Sequence, residues 1–192
     1  MKLLTIMLIL FSIIGCKSEH SEVEKSNASK IALSDEMIAE LKSKSRVTEQ
    51  LDYIYKHYHH LLDRSDNLAG IDINKNGIRD DIEDYIDNLQ VDEPTKHLVK
   101  QFAHAFQKPM LHDFNDDTHE SKILARKIAK LHTKAHACQA YMNISIDNLN
   151  VTDKLTSLTY NTKERTLAYL RYNSLLSGGV YTLLPAKGEY CE

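Results

Sequence analysis

The sequence predicts an all-α fold, an irregular bundle of five or six helices with one loop insertion and a C-terminal tail tied back by a disulfide. Three observations point there. Apolar residues recur at steps of three and four through most of the chain, and no stretch shows the polar/apolar alternation of a half-buried strand. Trp is absent, and Gly and Pro number only six and three, too few for turn-rich sandwich or barrel architecture. Hydrophobic residues make up 42% and charged ones 27%, which is globular composition, and the length suits one core.

The elements follow in order. Ser34-Asp35-Glu36 opens a short helix carrying Met37, Ile38 and Leu41. Thr48 opens a longer one with Leu51, Ile54, Tyr55, Tyr58, Leu61 and Leu62 on one face, and turn formers from Asp63 to Gly70 break it. A third helix from about Asp81 to Leu89 presents Ile82, Tyr85, Ile86 and Leu89. Pro94 suits the first turn of the next, whose stripe is Leu98, Val99, Phe102, Phe106 and Met110. The clearest period is Leu124, Ile128, Leu131, Ala135, Cys138 and Met142, which puts Cys138 on a buried seam. A last helix starts near Asn161, where Asn161 and Glu164 make a capping-box-like pair, carries Leu167, Leu170 and Leu175, and stops at Gly178-Gly179. The tail adds one extended segment ending in Cys191.

Ahead of these elements the chain reads as an export signal. Met1-Lys2 is a short positive start, and Leu3 to Ile14 is a nearly unbroken apolar run of twelve residues. That is short of the roughly 20 a spanning helix needs, but it fits the apolar region of a signal peptide. The run closes in Ile13-Ile14-Gly15-Cys16, which resembles the bacterial lipobox. The resemblance implies cleavage after Gly15 and acyl chains on Cys16, and Lys17 in place of Asp implies sorting to the outer membrane. Three segments result: a signal peptide at 1–15, a lipidated tether at 16–33 and a single helical domain at 34–192.

Two cysteines remain, Cys138 and Cys191. In an oxidising compartment an isolated pair forms a disulfide, here worth roughly 4 kcal/mol by chain entropy. A catalytic thiol is the alternative, but no activating histidine pattern accompanies either residue.

The motif with most chemistry in it runs from Asp72 to Glu83, D-I-N-K-N-G-I-R-D-D-I-E, and fits the loop pattern D-x-[DN]-x-[DN]-G-x5-E. Calcium takes 6–8 oxygens at about 2.3–2.6 Å. Asp72, Asn74 and Asn76 alternate, so a tight loop turns all three inward. Gly77 permits the bend, Ile78 offers its carbonyl, Asp80 a direct or water-mediated oxygen, and Glu83 two oxygens from the first turn of the next helix. There are departures from an ordinary EF-hand. Leu68 to Ile71 interrupts any entering helix, Arg79 stands where an aliphatic is usual, and no second loop exists for pairing. The arrangement is closer to the loop-then-helix calcium sites of dockerin and thrombospondin type 3 repeats. Two neutral Asn ligands, with Lys75 and Arg79 adding nearby positive charge, imply affinity of roughly 10⁻⁴–10⁻³ M. A metal-free turn followed by an acidic helix start is the competing reading.

Other patterns carry less. His132 and His136 lie four apart and share a helix face, but no Glu follows His132, so the H-E-x-x-H pattern is missing. His57, His59 and His60 spread over different faces. Asp113, Asp116 and Asp117 read as a solvated turn, and Tyr169 and Tyr172 beside Arg171 fit either a recognition surface or packing. A formal charge of -3 with scattered lysines gives no footprint for nucleic acid. No catalytic residue is indicated.

The runs GIDINKNGIRDDIEDYI and NTKERTLAYLRYNSLLSGG, with the closing cysteine, resemble an uncharacterised group of bacterial envelope lipoproteins with a single EF-hand-like calcium loop. The resemblance covers about half the mature chain and implies no activity. Three functions fit: a non-enzymatic, calcium-stabilised module binding an envelope protein or surface polymer; an envelope hydrolase with a structural metal; and a toxin-neutralising, immunity-type lipoprotein.

Overall fold

A computed structural model describes residues 30–192. The leader, Cys16 and the tether as far as residue 29 lie outside the described residues. Eight α-helical segments follow one another: α1 (Asp35–Ser43), α2 (Val47–Tyr58), α3 (Asp80–Asp87), α4 (Glu93–Gln107), α5 (His119–Tyr141), α6 (Ile146–Leu149), α7 (Thr152–Thr159) and α8 (Lys163–Leu175). No strand occurs among the described residues, and Cys138 is bonded to Cys191 with their Cα atoms 5.0 Å apart.

Most helix starts are capped as their residues suggest. Ser34 accepts from the Met37 amide at 3.3 Å, Asp92 from Thr95 at 2.8 Å with Pro94 in the first turn, and Thr118 from Ser121 at 3.1 Å. The core centres on α4, whose Leu98, Val99, Phe102, Ala103 and Phe106 are all buried. It packs most extensively on α5 and also meets α7 and α3. A smaller cluster of Phe114, Ala125, Ile128, Tyr172 and Leu175 joins the start of α5 to α8.

The structure departs from the expected elements in four places. First, α6 and α7 supply two short helices that the periodicity did not announce. They bury Leu149, Leu155 and Leu158, while Thr48, expected to open α2, donates instead to the Leu149 and Asn150 carbonyls.

Second, α8 is capped by Thr162, not Asn161, and Leu167 and Leu170 face water at 41% and 52% exposure. The buried face of α8 is Arg165, Ala168, Tyr172 and Leu175. An arginine has taken the place that leucine spacing assigned elsewhere.

Third, the packed body begins upstream of Ser34. Ile31 is buried, its amide donates to Asp84 at 2.6 Å, and the Tyr58 hydroxyl donates to the Ala32 carbonyl. Fourth, the tail after Gly178 forms no strand; it runs as an irregular strap to a single 3₁₀ turn at Gly188–Tyr190. The strap is fixed at its end by the disulfide and by Gln101, which donates to the Tyr190 carbonyl at 2.6 Å. Among the described residues no helix is long and apolar enough to cross a membrane.

Candidate metal centre

The residues from Asp72 to Glu83 form a wound loop held by its own side chains. Asp72 accepts from the amides of Asn76 and Gly77 at 3.2 and 2.9 Å. Asn74 Oδ1 accepts from the Asn76 amide at 3.0 Å, and Asn76 Oδ1 from the Ile78 amide at 2.9 Å. Each bond curls the backbone around the side chain that accepts it. Lys75 and Gly77 sit in the left-handed region, with φ of 58° and 84°. At Gly77 a Cβ would also stand 2.8 Å from the His104 ring, so the glycine is required by conformation and by space. Asp80 closes the loop: its amide donates to the Ile71 carbonyl at 2.8 Å, and its carboxylate accepts from the Ile73 amide at 3.1 Å.

Glu83, on the first turn of α3, receives the ring. Asn74 Nδ2 donates to one of its oxygens and Asn76 Nδ2 to the other, both at 2.8 Å. Lys100 of α4 adds a third donor at 2.8 Å and reaches Asp87 at 2.7 Å. The expected ligand side chains of Asp72, Asn74, Asn76, Asp80 and Glu83 therefore belong to one hydrogen-bonded loop, with Ile78 at its inner edge and its side chain in the core.

The donor set is oxygen-rich and hard, which suits calcium, yet it is not a ready trio of carboxylates. Among the described residues no three His, Cys, Asp or Glu side chains gather closely enough to hold a metal by themselves. Two of the five expected ligand side chains are amides, and Glu83 is engaged by nitrogen donors. The charges are unevenly balanced. Burial raises the Asp80 carboxyl above its ordinary value, outweighing the Ile73 hydrogen bond, and the neighbouring Asp72, Glu83 and Asp81 charges raise it further. Burial acts the same way on Glu83, but the bonds from Lys100, Asn74 and Asn76 outweigh it and bring that carboxyl down.

Arg79 does not add its charge to this ring. It is fully buried and turned the other way. Its guanidinium forks onto Asp81 at 2.5 and 2.9 Å and donates to the carbonyls of Thr159 and Leu158, at 3.2 and 3.0 Å, at the end of α7. Asp81 in turn accepts from the Asp63 amide at 2.7 Å. Fully buried Arg165 completes the network by donating to the carbonyls of Asp63, Asn67 and Leu68 and to Asn161 Oδ1. Gly70 lets Arg79 through, since a Cβ there would lie 2.2 Å from the Arg79 Cδ. The positive charge beside the ring belongs to Lys100, seventeen residues from Glu83 in sequence. No local pattern announces it.

The histidine pair has another use. His132 lies edge-on to Phe106 with ring centres 4.5 Å apart, and His136 edge-on to Phe102 at 4.9 Å. Burial, reinforced by His136, lowers the His132 imidazole to about 4. His57, His59 and His60 are exposed, as are Asp113, Asp116 and Asp117. Of the tyrosines near Arg171, Tyr172 is buried and Tyr169 stacks on Tyr160 at 4.3 Å, so both belong to packing.

No family model, curated protein or solved structure matches the chain. The site is therefore read from its own geometry.

Two outcomes follow. Arg79→Met strands Asp81 and two carbonyls in the interior, and breaking a buried pair costs about 3–5 kcal/mol. Urea denaturation reads the loss, and a change below about 1 kcal/mol would show the network to be dispensable. Arg79→Lys recovers little, because an ammonium does not fork. The second outcome concerns acid. An unfolded chain takes up the His132 proton near the ordinary value of 6.5, whereas the folded ring does so only near 4. Between those values the unfolded state binds more protons, so stability falls as pH drops through the window. Discounted for the ring's partial contact with water, the effect is on the order of 2 kcal/mol. His132→Phe should flatten that part of the pH–stability curve, and an unchanged slope would rule the histidine out.

Proposed function

We propose that the chain is a lipid-anchored envelope protein whose helical body is a non-enzymatic binding module, with calcium as the structural ion of the Asp72–Glu83 loop. The observation that carries this reading is the ring itself. Three alternating side chains fold back onto the amides that follow them, and the loop ends on a glutamate at the first turn of a helix. In this reading Asp72, Asn74 and Asn76 supply side-chain oxygens, Ile78 a carbonyl, Asp80 a direct or water-mediated oxygen and Glu83 two. Each Asn Oδ1 keeps a second lone pair beyond the one its turn uses. Glu83 exchanges its three nitrogen donors for the ion, and Lys100 retains Asp87. Calcium fixes the link from α2 to α3 and stabilises the native state by mass action. The anchor is Cys16, and the partner is another envelope protein or a surface polymer.

Calorimetric titration and thermal melting of the full chain test the loop. Affinity falls at roughly 10⁻⁴–10⁻³ M, and calcium at ten to a hundred times that constant adds about 1.4–2.7 kcal/mol of stability. Glu83→Gln removes both effects. Lys100→Met has two opposite consequences, since it lowers stability in chelator and tightens calcium by clearing a competing cation from Glu83. Absence of binding heat with unchanged melting at millimolar calcium defeats the reading. For the anchor, cells fed labelled palmitate should label the protein, and Cys16→Ser should abolish it; label retained in that variant refutes anchoring at this residue.

A further inference from the structure

A groove of about 680 Å³ lies between α5 and the C-terminal strap, on surface the calcium loop does not use. Its floor is a single stripe of α5. Arg126, Lys130 and Lys134 are spaced four residues apart and span about 12 Å along the axis. Among the described residues none of the three is paired with a carboxylate, and no Asp or Glu lines the groove. The opposite wall is the strap, which lines the groove with Val180, Tyr181, Thr182 and Leu184, while Leu183 faces solvent outside it. Val180 is 96% exposed and Leu183, further along the strap, 83%, with Tyr181 between them at 42%. These residues lie on a strap anchored at one end by α8 and at the other by the disulfide.

We propose that this groove and strap bind the surface of an anionic phospholipid membrane. The phosphodiester groups lie along Arg126, Lys130 and Lys134, and Val180 and Leu183 enter the acyl boundary. Tyr181 sits between them at headgroup level, where an amphipathic ring is favoured. The combination selects this occupant. An acidic peptide would satisfy the three cations and leave Leu183 in water, and a free phosphate would use neither aliphatic residue. A bilayer of anionic lipid rewards both, with an electrostatic gain of about fivefold in partition for each basic side chain near the surface. The inference is independent of the calcium loop.

Hydrogen exchange read by mass spectrometry on the full chain tests it. Among the described residues the backbone amides of 180–187 donate to no protein acceptor, so they exchange quickly in solution. Vesicles containing phosphatidylglycerol should slow exchange in this segment by tenfold or more, and pure phosphatidylcholine vesicles should not. A leader or lipid anchor holds the chain to both kinds of vesicle, so only the local readout reports the groove. The R126A/K130A/K134A variant should lose about a hundredfold in local affinity and with it the protection. Val180→Ser with Leu183→Ser, at two solvent-facing positions, should abolish it as well. Four results overturn the proposal: equal protection on both vesicles, protection that survives the triple variant, protection by inorganic phosphate alone, or the same protection from soluble polyglutamate.

Discussion

Two guanidinium groups stand in the interior, and most of the chain around the loop is arranged to receive them. Arg79 and Arg165 are both fully buried, and burial, reinforced by the charge of Arg79, lowers the Arg165 guanidinium below its ordinary value. A buried cation is tolerated only where its donors are met. Asp81 and the carbonyl ends of α7 meet Arg79, while Asp63, Asn67, Leu68 and Asn161 meet Arg165. Residues 63–71 are thus non-helical for a positive reason: their carbonyls are needed by an arginine. The Asp63 carboxyl is drawn down from its ordinary value, because hydrogen bonds from Ser65 and the charges of Arg165 and Arg79 outweigh its burial.

That constraint explains why the loop has an inside and an outside. Arg79 points into the chain's own core and is met there by the carbonyl end of α7. The backbone is pulled inward at Arg79, and the flanking polar residues are presented together on the other side, toward Lys100. Glu83 is then balanced either by Lys100 and two amides or by a cation, and the two arrangements compete for the same oxygens. A built-in ammonium lowers the cost of the ion-free loop and would weaken the grip of the ion proposed for it.

Six helices were legible in the sequence because their apolar residues keep a 3.6 period over two turns or more, as Leu98, Phe102 and Phe106 do. The short α6 and α7 were not, because four to eight residues give a period too few repeats to declare itself. The error in α8 is more instructive. Leu167 and Leu170 have helical spacing, but burial of Arg165 rotates the helix so that Ala168 and Tyr172 face inward, and hydropathy cannot foresee an arginine held by four hydrogen bonds and an ion pair. The loop was legible because its chemistry is local: the turns onto Asp72, Asn74 and Asn76 span two to five residues, and the bonds that close it on Asp80 and Glu83 span seven to nine. Lys100, His104 and most of the arginine partners were hidden because they arrive from distant parts of the chain. Gly70 reads as a turn former and is one, and its service to Arg79 appears only once that side chain is in place.

The C-terminal strap joins these two levels of organisation. Beyond the groove it turns at Gly188–Tyr190, gives the Tyr190 carbonyl to Gln101, bonds through Cys191 to the buried seam of α5, and ends with Glu192 3.4 Å from His104, the residue against which Gly77 packs. One segment therefore walls a basic groove along its length and meets, through His104, the Asp72–Glu83 loop at its tip. The acidic side chains of Asp80, Asp81, Glu83, Asp84 and Asp87 collect around the cleft beside the loop, while the charged residues that line the groove are all cations. A net charge near neutrality hides this separation. It is the placement of charge, and not its sum, that sets an acidic cleft apart from a basic groove, and the disulfide holds the segment that walls the groove.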